Sequence, residues 1–300
     1  MNVVETSSLG KRYRKKWALA DCSLAIPEGR VTALIGTNGA GKTTLLHLLA
    51  GLSTPTTGQA AIMGGYRPGH GTMRDKVALV AQDAPVYGGM SVCDTLRAAR
   101  GLNGCWDQSY AERRLAALGI PMKARAGKLS SGQRAQLALT LALARHPALL
   151  LLDEPLAALD PLARREVLGS LMGTVLDEGI SVVFSSHVLG DLANVANYLV
   201  LLGRGRLHLA GELDGVLNNH RMLTGPASEV EGLARQVRVV QVTRAGRHAH
   251  VLARSGMVPT GWQAREVTME ELVLAYLSAS DAEHIPGGSP PRASQEVEAR

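Results

Sequence analysis

Residues 36–43 read Gly36-Thr37-Asn38-Gly39-Ala40-Gly41-Lys42-Thr43 and match the pattern G-x-x-x-x-G-K-[ST]. The match lies between an apolar, β-branched run at residues 31–35 and an apolar helical pattern at residues 44–50. A strand, a glycine-rich loop and a helix in this order form a phosphate site, because successive backbone N–H groups and the positive end of the helix face the same anion. Lys42 adds a charge toward the β- and γ-phosphates, and Thr43 offers a hydroxyl to Mg²⁺. The stretch therefore predicts a site for a nucleoside triphosphate with magnesium.

Two further apolar runs end in polar residues. Residues 148–152 lead into Asp153 and Glu154, and residues 180–185 lead to His187. Continuous apolar strands indicate a parallel sheet that is covered on both faces and binds its ligands at the carboxyl ends of the strands. We expect an α/β fold in which Asp153 binds the magnesium shell and Glu154 orients or deprotonates an attacking water. The alternative for this acidic pair is an N-cap of the next helix, since a proline follows it.

The remaining chain divides by its patterns. Helical patterns dominate around residues 84–145, which predicts a helical subdomain inside a first domain of residues 1–214. Later, residues 236–242 and 249–253 indicate a β-hairpin, and a capping-box pattern of Thr268 and Glu271 indicates a terminal helix. We therefore expect a small α+β appendix at residues 215–280. A tail rich in Pro, Gly, Ser and charge, residues 281–300, is predicted to be disordered.

Composition excludes some classes of protein. With 46% apolar and 19% charged residues in 300, most of the chain should fold around a core. The apolar runs are shorter than the roughly 20 residues of a membrane-spanning helix, and the first ten residues do not resemble a secretory signal, so we expect a cytoplasmic protein. The net charge of +6 suits a polyphosphate, an anionic lipid or a nucleic acid equally well. Part of this charge is a basic run at residues 11–16, which is also typical of a solvated turn.

A second candidate anion site is the stretch Leu129-Ser130-Ser131-Gly132-Gln133, which stands directly before a helical pattern at residues 134–144. An exposed helix N-terminus with hydroxyl groups can bind an anion. Taken by itself, however, such a stretch is more often only the N-cap of its helix.

Together these motifs resemble the nucleotide-binding subunit of an ABC transporter over roughly residues 1–214. Residues 36–44 are similar to the Walker A loop, residues 148–153 with the following glutamate to Walker B, and residues 129–133 to the signature. Gln82 resembles the glutamine of the Q-loop, residues 157–160 resemble the D-loop, and His187 resembles the switch histidine. Tyr13 is placed like the aromatic residue that stacks on adenine. The chain departs from the family pattern at Ser131, where a second glycine is usual, and at Ala157, where a serine is frequent.

The resemblance implies an ATP site with Mg²⁺ that two chains share, and a homodimer, since each motif occurs once. It implies that Glu154 acts as the base, that His187 holds the γ-phosphate and the water, and that Gln82 senses the metal. The implied metal ligands are Thr43, Gln82 and Asp153. The implied nucleotide-binding residues are Tyr13, Gly36, Thr37, Asn38, Gly39, Ala40, Gly41, Lys42, Thr43, Thr44, and, from the partner chain, Ser130, Ser131, Gly132 and Gln133.

For the whole protein, the resemblance implies an ATPase that drives a separate membrane permease from the cytoplasmic face of the membrane, with residues 86–100 as the docking surface. Residues 269–277 are similar to the end of ABC-2 export ATPases, so we expect export of a drug, peptide, lipid or polysaccharide. The alternative is a soluble ABC ATPase that acts on nucleic acid or the ribosome. Such proteins usually carry two cassettes or a long coiled coil, so we expect no nucleic-acid partner. The signature argues against a kinase or GTPase, and Glu154 with His187 argues against a regulator that does not hydrolyse ATP.

Overall fold

A computed structural model describes residues 1–82, 86–186, 188–254 and 258–282. His187 and residues 283–300 of the predicted tail lie outside the described residues. The chain divides into two units, one spanning Met1–Leu207 and the other beginning at His208. The first unit ends a few residues before the domain limit expected at residue 214.

The strands are β1 (Asn2–Tyr13), β2 (Lys16–Pro27), β3 (Val31–Gly36), β4 (Thr57–Ile62), β5 (Val77–Val80), β6 (Leu149–Asp153), β7 (Ser181–Ser185), β8 (Tyr198–Gly203), β9 (Arg206–Glu212), β10 (His220–Pro226), β11 (Arg238–Ala245), β12 (His248–Arg254) and β13 (Gln263–Arg265). The helices are α1 (Lys42–Leu49), α2 (Val92–Leu102), α3 (Gln108–Ala117), α4 (Ser131–Leu143), α5 (Pro161–Glu178), α6 (Leu189–Ala193), α7 (Leu213–Asn218), α8 (Val230–Leu233) and α9 (Met269–Ala282).

The central sheet has the strand order β5-β6-β7-β3-β8-β9. Its inner pairs β6–β7, β7–β3 and β3–β8 are parallel, and every residue of β3, β6, β7 and β8 is buried. Side chains on both faces of these strands are removed from water, which explains their largely apolar sequences. The predicted α/β class is confirmed. The carboxyl ends of β3, β6 and β7 lie side by side and bring their polar residues together.

A second sheet of the first unit, with strand order β2-β1-β4, was not predicted. Its strands β1 and β2 form an antiparallel hairpin, with Tyr13 opposite Lys16 at the tip. The basic run at residues 11–16 is the end of this hairpin, as the turn interpretation anticipated. Several register shifts interrupt the β1–β2 pairing, so apolar and polar residues do not alternate regularly along either strand.

The predicted helical region contains α2, α3 and α4. These helices share a small core in which Val92, Leu96, Leu115 and Leu137 are buried. Each helix begins with a side-chain N-cap, provided by Ser91, Asp107 and Ser130, respectively.

The second unit contains an antiparallel sheet of strand order β11-β12-β10-β13. The predicted hairpin is β11–β12. Strand β11 continues three residues beyond the predicted end at residue 242, and β12 begins one residue before the predicted start at residue 249, so the turn is shorter than the sequence pattern indicated. Trp262 packs on Gly225, where an added Cβ would lie 2.6 Å from the indole ring. In the described residues, no helix has both the length and the apolar character that crossing a membrane requires.

Candidate functional site

The phosphate loop connects β3 to α1 in a conformation that only glycine accommodates. Gly39 and Gly41 have φ angles of 79° and 103°, in the left-handed region. A Cβ on Gly41 would lie 2.5 Å from the carbonyl oxygen of Ala18, and a Cβ on Gly36 would collide with the carbonyl oxygen of Leu202. Helix α1 begins directly after this loop without a side-chain cap, so its first N–H groups are available to an anion.

Lys42 joins the loop to the end of strand β6. Its ammonium group donates a hydrogen bond of 2.8 Å to the carbonyl of Gly36 and lies 3.6 Å from Glu154 Oε1. Only 6% of the lysine side chain is exposed. A phosphate bound by the loop therefore meets a cation and an acidic side chain at the same place.

The acidic pair at the end of β6 occupies two different environments. Asp153 is 2% exposed and accepts a 2.8 Å hydrogen bond from the Ser185 hydroxyl. Glu154 has a φ angle of 47°, and its N–H donates to Ser185 Oγ at 2.9 Å. This left-handed residue ends the strand, and its carboxylate lies beside Lys42. The N-cap alternative for the pair is wrong, because α5 is capped by Asp160, which accepts from the N–H groups of two residues in its first turn.

A cleft of about 630 Å³ unites most of the predicted site. It is lined by Tyr13, residues 38–44 of the phosphate loop and helix α1, Gln82 and Glu154, whereas Gly36 and Thr37 at the start of the loop do not line it. Tyr13 is 48% exposed, at the tip of the β1–β2 hairpin. The sequence did not assign the other lining residues of this hairpin, Lys16, Trp17 and Ala18. An aromatic residue close to Tyr13 was the available signal, but only the hairpin pairing places it at the cleft.

The predicted metal ligands supply oxygen atoms only: the Thr43 hydroxyl, the Gln82 amide and the Asp153 carboxylate. Hard oxygen donors of this kind fit Mg²⁺, which usually takes one or two carboxylates and completes its shell with water and phosphate. Thr43 and Gln82 line the cleft, whereas Asp153 is buried behind Glu154 and beside Ser185.

The signature residues cap helix α4 and do not line the cleft. Ser130 Oγ accepts from the Gln133 N–H at 3.1 Å, and Gln133 Oε1 accepts from the Ser130 N–H at 3.1 Å. The N-cap interpretation of this stretch is therefore confirmed, since Ser130 and Gln133 form a capping box. Contact of residues 130–133 with a phosphate of a second chain stays a prediction.

Comparison with known proteins identifies similar sequences and folds. The profile that describes ABC transporters matches residues 19–157. The aliphatic sulfonates import ATP-binding protein SsuB of Shigella flexneri serotype 5b is 34% identical over 254 residues, which cover 83% of this chain and 94% of that protein. The protein of the same name from Escherichia coli K12 is 36% identical over 68% of this chain and 78% of its own length.

Two solved structures share the fold. An ATP-binding subunit of an ABC transporter superposes with a TM-score of 0.62 at 27% identity, over 71% of this chain and 91% of its own. The ATP-binding cassette MJ0796, solved as a dimer with ADP and Pi, has a TM-score of 0.61 at 23% identity, over 70% of this chain and 98% of its own. Both sulfonate relatives are named as import proteins, so they do not support the expectation of an export-type ATPase.

Proposed function

This chain belongs to the ATP-binding proteins of ABC transporters and is an ATPase, and from that premise we propose that two copies of it bind Mg-ATP between them and drive a separate membrane permease. The observation that carries the proposal is the position of Glu154. Its carboxylate lies 3.6 Å from the phosphate-loop lysine and lines the same cleft as Tyr13 and Gln82.

The predicted site residues have defined tasks in this proposal. The loop N–H groups and Lys42 bind the β- and γ-phosphates, and the ring of Tyr13 stacks on the adenine. Thr43, Gln82 and Asp153 would hold Mg²⁺, which when bound neutralises charge on those phosphates. Glu154 accepts a proton from the water that attacks the γ-phosphate.

A second chain completes the site. The capped N-terminus of α4 is exposed at Ser130 and lies outside the cleft of its own chain. Its Ser130–Gln133 segment would contact the γ-phosphate bound by the partner. In each site, His187 of the chain that binds the ATP would hold the γ-phosphate and the water. Charge-assisted hydrogen bonds of this kind contribute roughly 1.5 to 3 kcal/mol each, so ATP would stabilise the dimer until it is hydrolysed.

The permease would bind near the helical region, from the cytoplasmic face of the membrane. Tyr87 is 75% exposed, and the adjacent Gly88 is joined to this region by a 3.0 Å hydrogen bond from the Gly127 N–H to its carbonyl. These residues follow Gln82 along the chain, so movement of the metal-sensing residue would be transmitted to the docking surface at residues 86–100.

The direction of transport has two candidates, import and export. The similarity to sulfonate importers extends over 254 residues and favours uptake of a small anionic solute. The prediction of export rests on the resemblance of residues 269–277 to export ATPases. Uptake and efflux assays with the partner permease in vesicles distinguish the two directions.

Steady-state phosphate release from Mg-ATP tests the proposed function. Glu154→Gln should lower the turnover by about 100-fold or more, the range for loss of a general base, while ATP still binds. Glu166→Gln is the matched control, because it removes an exposed carboxylate from α5 and should leave turnover unchanged. Equal turnover in wild type and Glu154→Gln would refute the role of this glutamate.

A further inference from the structure

We propose that Ser185 is a positioning residue of the ATPase site, whose hydroxyl holds Asp153 and Glu154 in their different orientations. The inference rests on the proposed function, because it concerns the same acidic pair. It adds a residue that neither the sequence motifs nor the family resemblance assigned to the chemistry.

The Ser185 hydroxyl contacts both acidic residues at once. It donates to Asp153 Oδ1 at 2.8 Å and accepts from the Glu154 N–H at 2.9 Å. A serine hydroxyl has one proton and two lone pairs, so the two hydrogen bonds are compatible. The side chain is fully buried, and water is therefore excluded as a competing partner.

The pairing of strands β6 and β7 fixes this contact. Ser185 is the last residue of β7 and lies opposite Asp153, the last residue of β6. The hydroxyl is therefore at the carboxyl edge of the sheet, between the proposed metal ligand and the proposed base. This position depends on the register of two strands whose residues are 32 apart in sequence.

The contact also stabilises an unusual backbone conformation. Glu154 is not a glycine and has a φ angle of 47°, which places it in the sparsely populated left-handed region. Its N–H is shared between Ser185 Oγ and the Ser185 carbonyl oxygen, the latter at 3.2 Å. Loss of the hydroxyl leaves only the longer of these bonds, so the turn relaxes and the Glu154 carboxylate moves from its place near Lys42.

The same strand provides a matched control. Ser181 begins β7, is also buried, and also accepts a backbone hydrogen bond, from the Gly29 N–H at 2.9 Å. It lies at the opposite end of β7 from the acidic pair, since it is paired with Leu149 and not with Asp153. Ser181→Ala and Ser185→Ala therefore remove the same group from the same strand, and only the second change affects the site.

The first test compares the kinetics of these variants in the full-length protein. Ser185→Ala should reduce kcat by roughly 10- to 100-fold, the range for residues that orient a metal site, and should raise the Mg²⁺ concentration needed for half-maximal nucleotide binding. Ser181→Ala should change neither quantity. Ser185→Thr retains the hydroxyl and should restore kcat at least partly, and Ser185→Cys, with a weak donor of similar size, should give an intermediate value.

The second test needs no turnover. Hydrogen–deuterium exchange is measured in the nucleotide-free proteins, in the peptide that contains Glu154. This peptide should exchange faster in Ser185→Ala than in the wild type, and at the wild-type rate in Ser181→Ala. Equal kcat and equal exchange in the two alanine variants would overturn the proposal. If the wild-type protein hydrolyses no ATP, the proposed function fails instead, while the exchange comparison still decides whether Ser185 holds the turn.

Discussion

At the scale of single residues, the phosphate loop is determined by contacts that tolerate no side chain. The backbone of Gly41 packs against the carbonyl of Ala18 on the β1–β2 hairpin. The loop motif is therefore readable from sequence, because its chemistry lies within eight consecutive positions. Trp17 and Ser185 could not be assigned in the same way, because a hairpin pairing and a strand register bring them to the site.

Replacement of Lys42 by alanine should abolish tight nucleotide binding. The substitution removes the buried cation that faces the γ-phosphate position and leaves Glu154 without this neighbour. We expect ATP affinity to fall by about 10-fold or more, the effect of one charge-assisted hydrogen bond, in isothermal titration calorimetry. Lys128→Ala, at an exposed lysine outside the cleft, is the control and should bind ATP as the wild type does. Unchanged affinity in Lys42→Ala would contradict the assignment of the loop.

At the scale of elements, strands β3, β6 and β7 and the hairpin β11–β12 were predictable from sequence, whereas the hairpin β1–β2 was not. Strands β3, β6 and β7 are buried at every position, so their apolar runs were visible in sequence. Strands β1 and β2 contain register shifts, and Ser8 has a φ angle of 45°, which disrupts the alternation expected of a half-buried strand. The sheet that carries Tyr13 was consequently missed, although Tyr13 itself was identified.

The N-terminus of α4 should contribute to hydrolysis as well as to helix stability. Ser130 and Ser91 are both N-cap residues in the helical region, and both accept from the N–H three residues later. Replacement by alanine should cost about 0.5 to 2 kcal/mol of stability at either position. Only Ser130→Ala should also reduce ATPase turnover, because only that helix end is predicted to meet the partner's nucleotide. Equal turnover in the two variants would leave the segment with a purely structural role.

The start of α9 should be sensitive to acid. Hydrogen bonds from Arg265 and from the Thr268 N–H lower the pKa of Glu271 from 4.5 to about 2. Since the pKa is lower in the folded state, the ionised carboxylate stabilises the helix above about pH 4.5, and this contribution declines as the pH falls toward 2. Glu271→Gln should therefore reduce amide protection of α9 at pH 6, by up to about fivefold for an exposed pair.

The difference between wild type and Glu271→Gln should disappear near pH 2, once exchange rates are corrected for the intrinsic effect of pH. Glu270→Gln removes the same charge one residue earlier and serves as the control. A difference that persists undiminished at pH 2 would show that the ionised carboxylate does not stabilise this helix.

At the scale of the whole molecule, the described residues of one chain include most of the nucleotide-binding motifs but separate them in space. The cleft collects Tyr13, the phosphate loop, Gln82 and Glu154, whereas residues 130–133 cap a helix elsewhere. Sequence could predict both groups from local patterns. It could not establish from one chain which groups share a site, because that depends on assembly.

The most direct test of a site shared between two chains is the molar mass of Glu154→Gln, measured by size-exclusion chromatography with light scattering. With saturating Mg-ATP, the variant should bind nucleotide that it cannot hydrolyse and elute with twice the monomer mass, returning to the monomer when nucleotide is removed. Adding Ser130→Ala should weaken this dimer, whereas adding Ser91→Ala should not. A variant that is saturated with Mg-ATP and remains a monomer at every concentration would contradict a site shared between two chains.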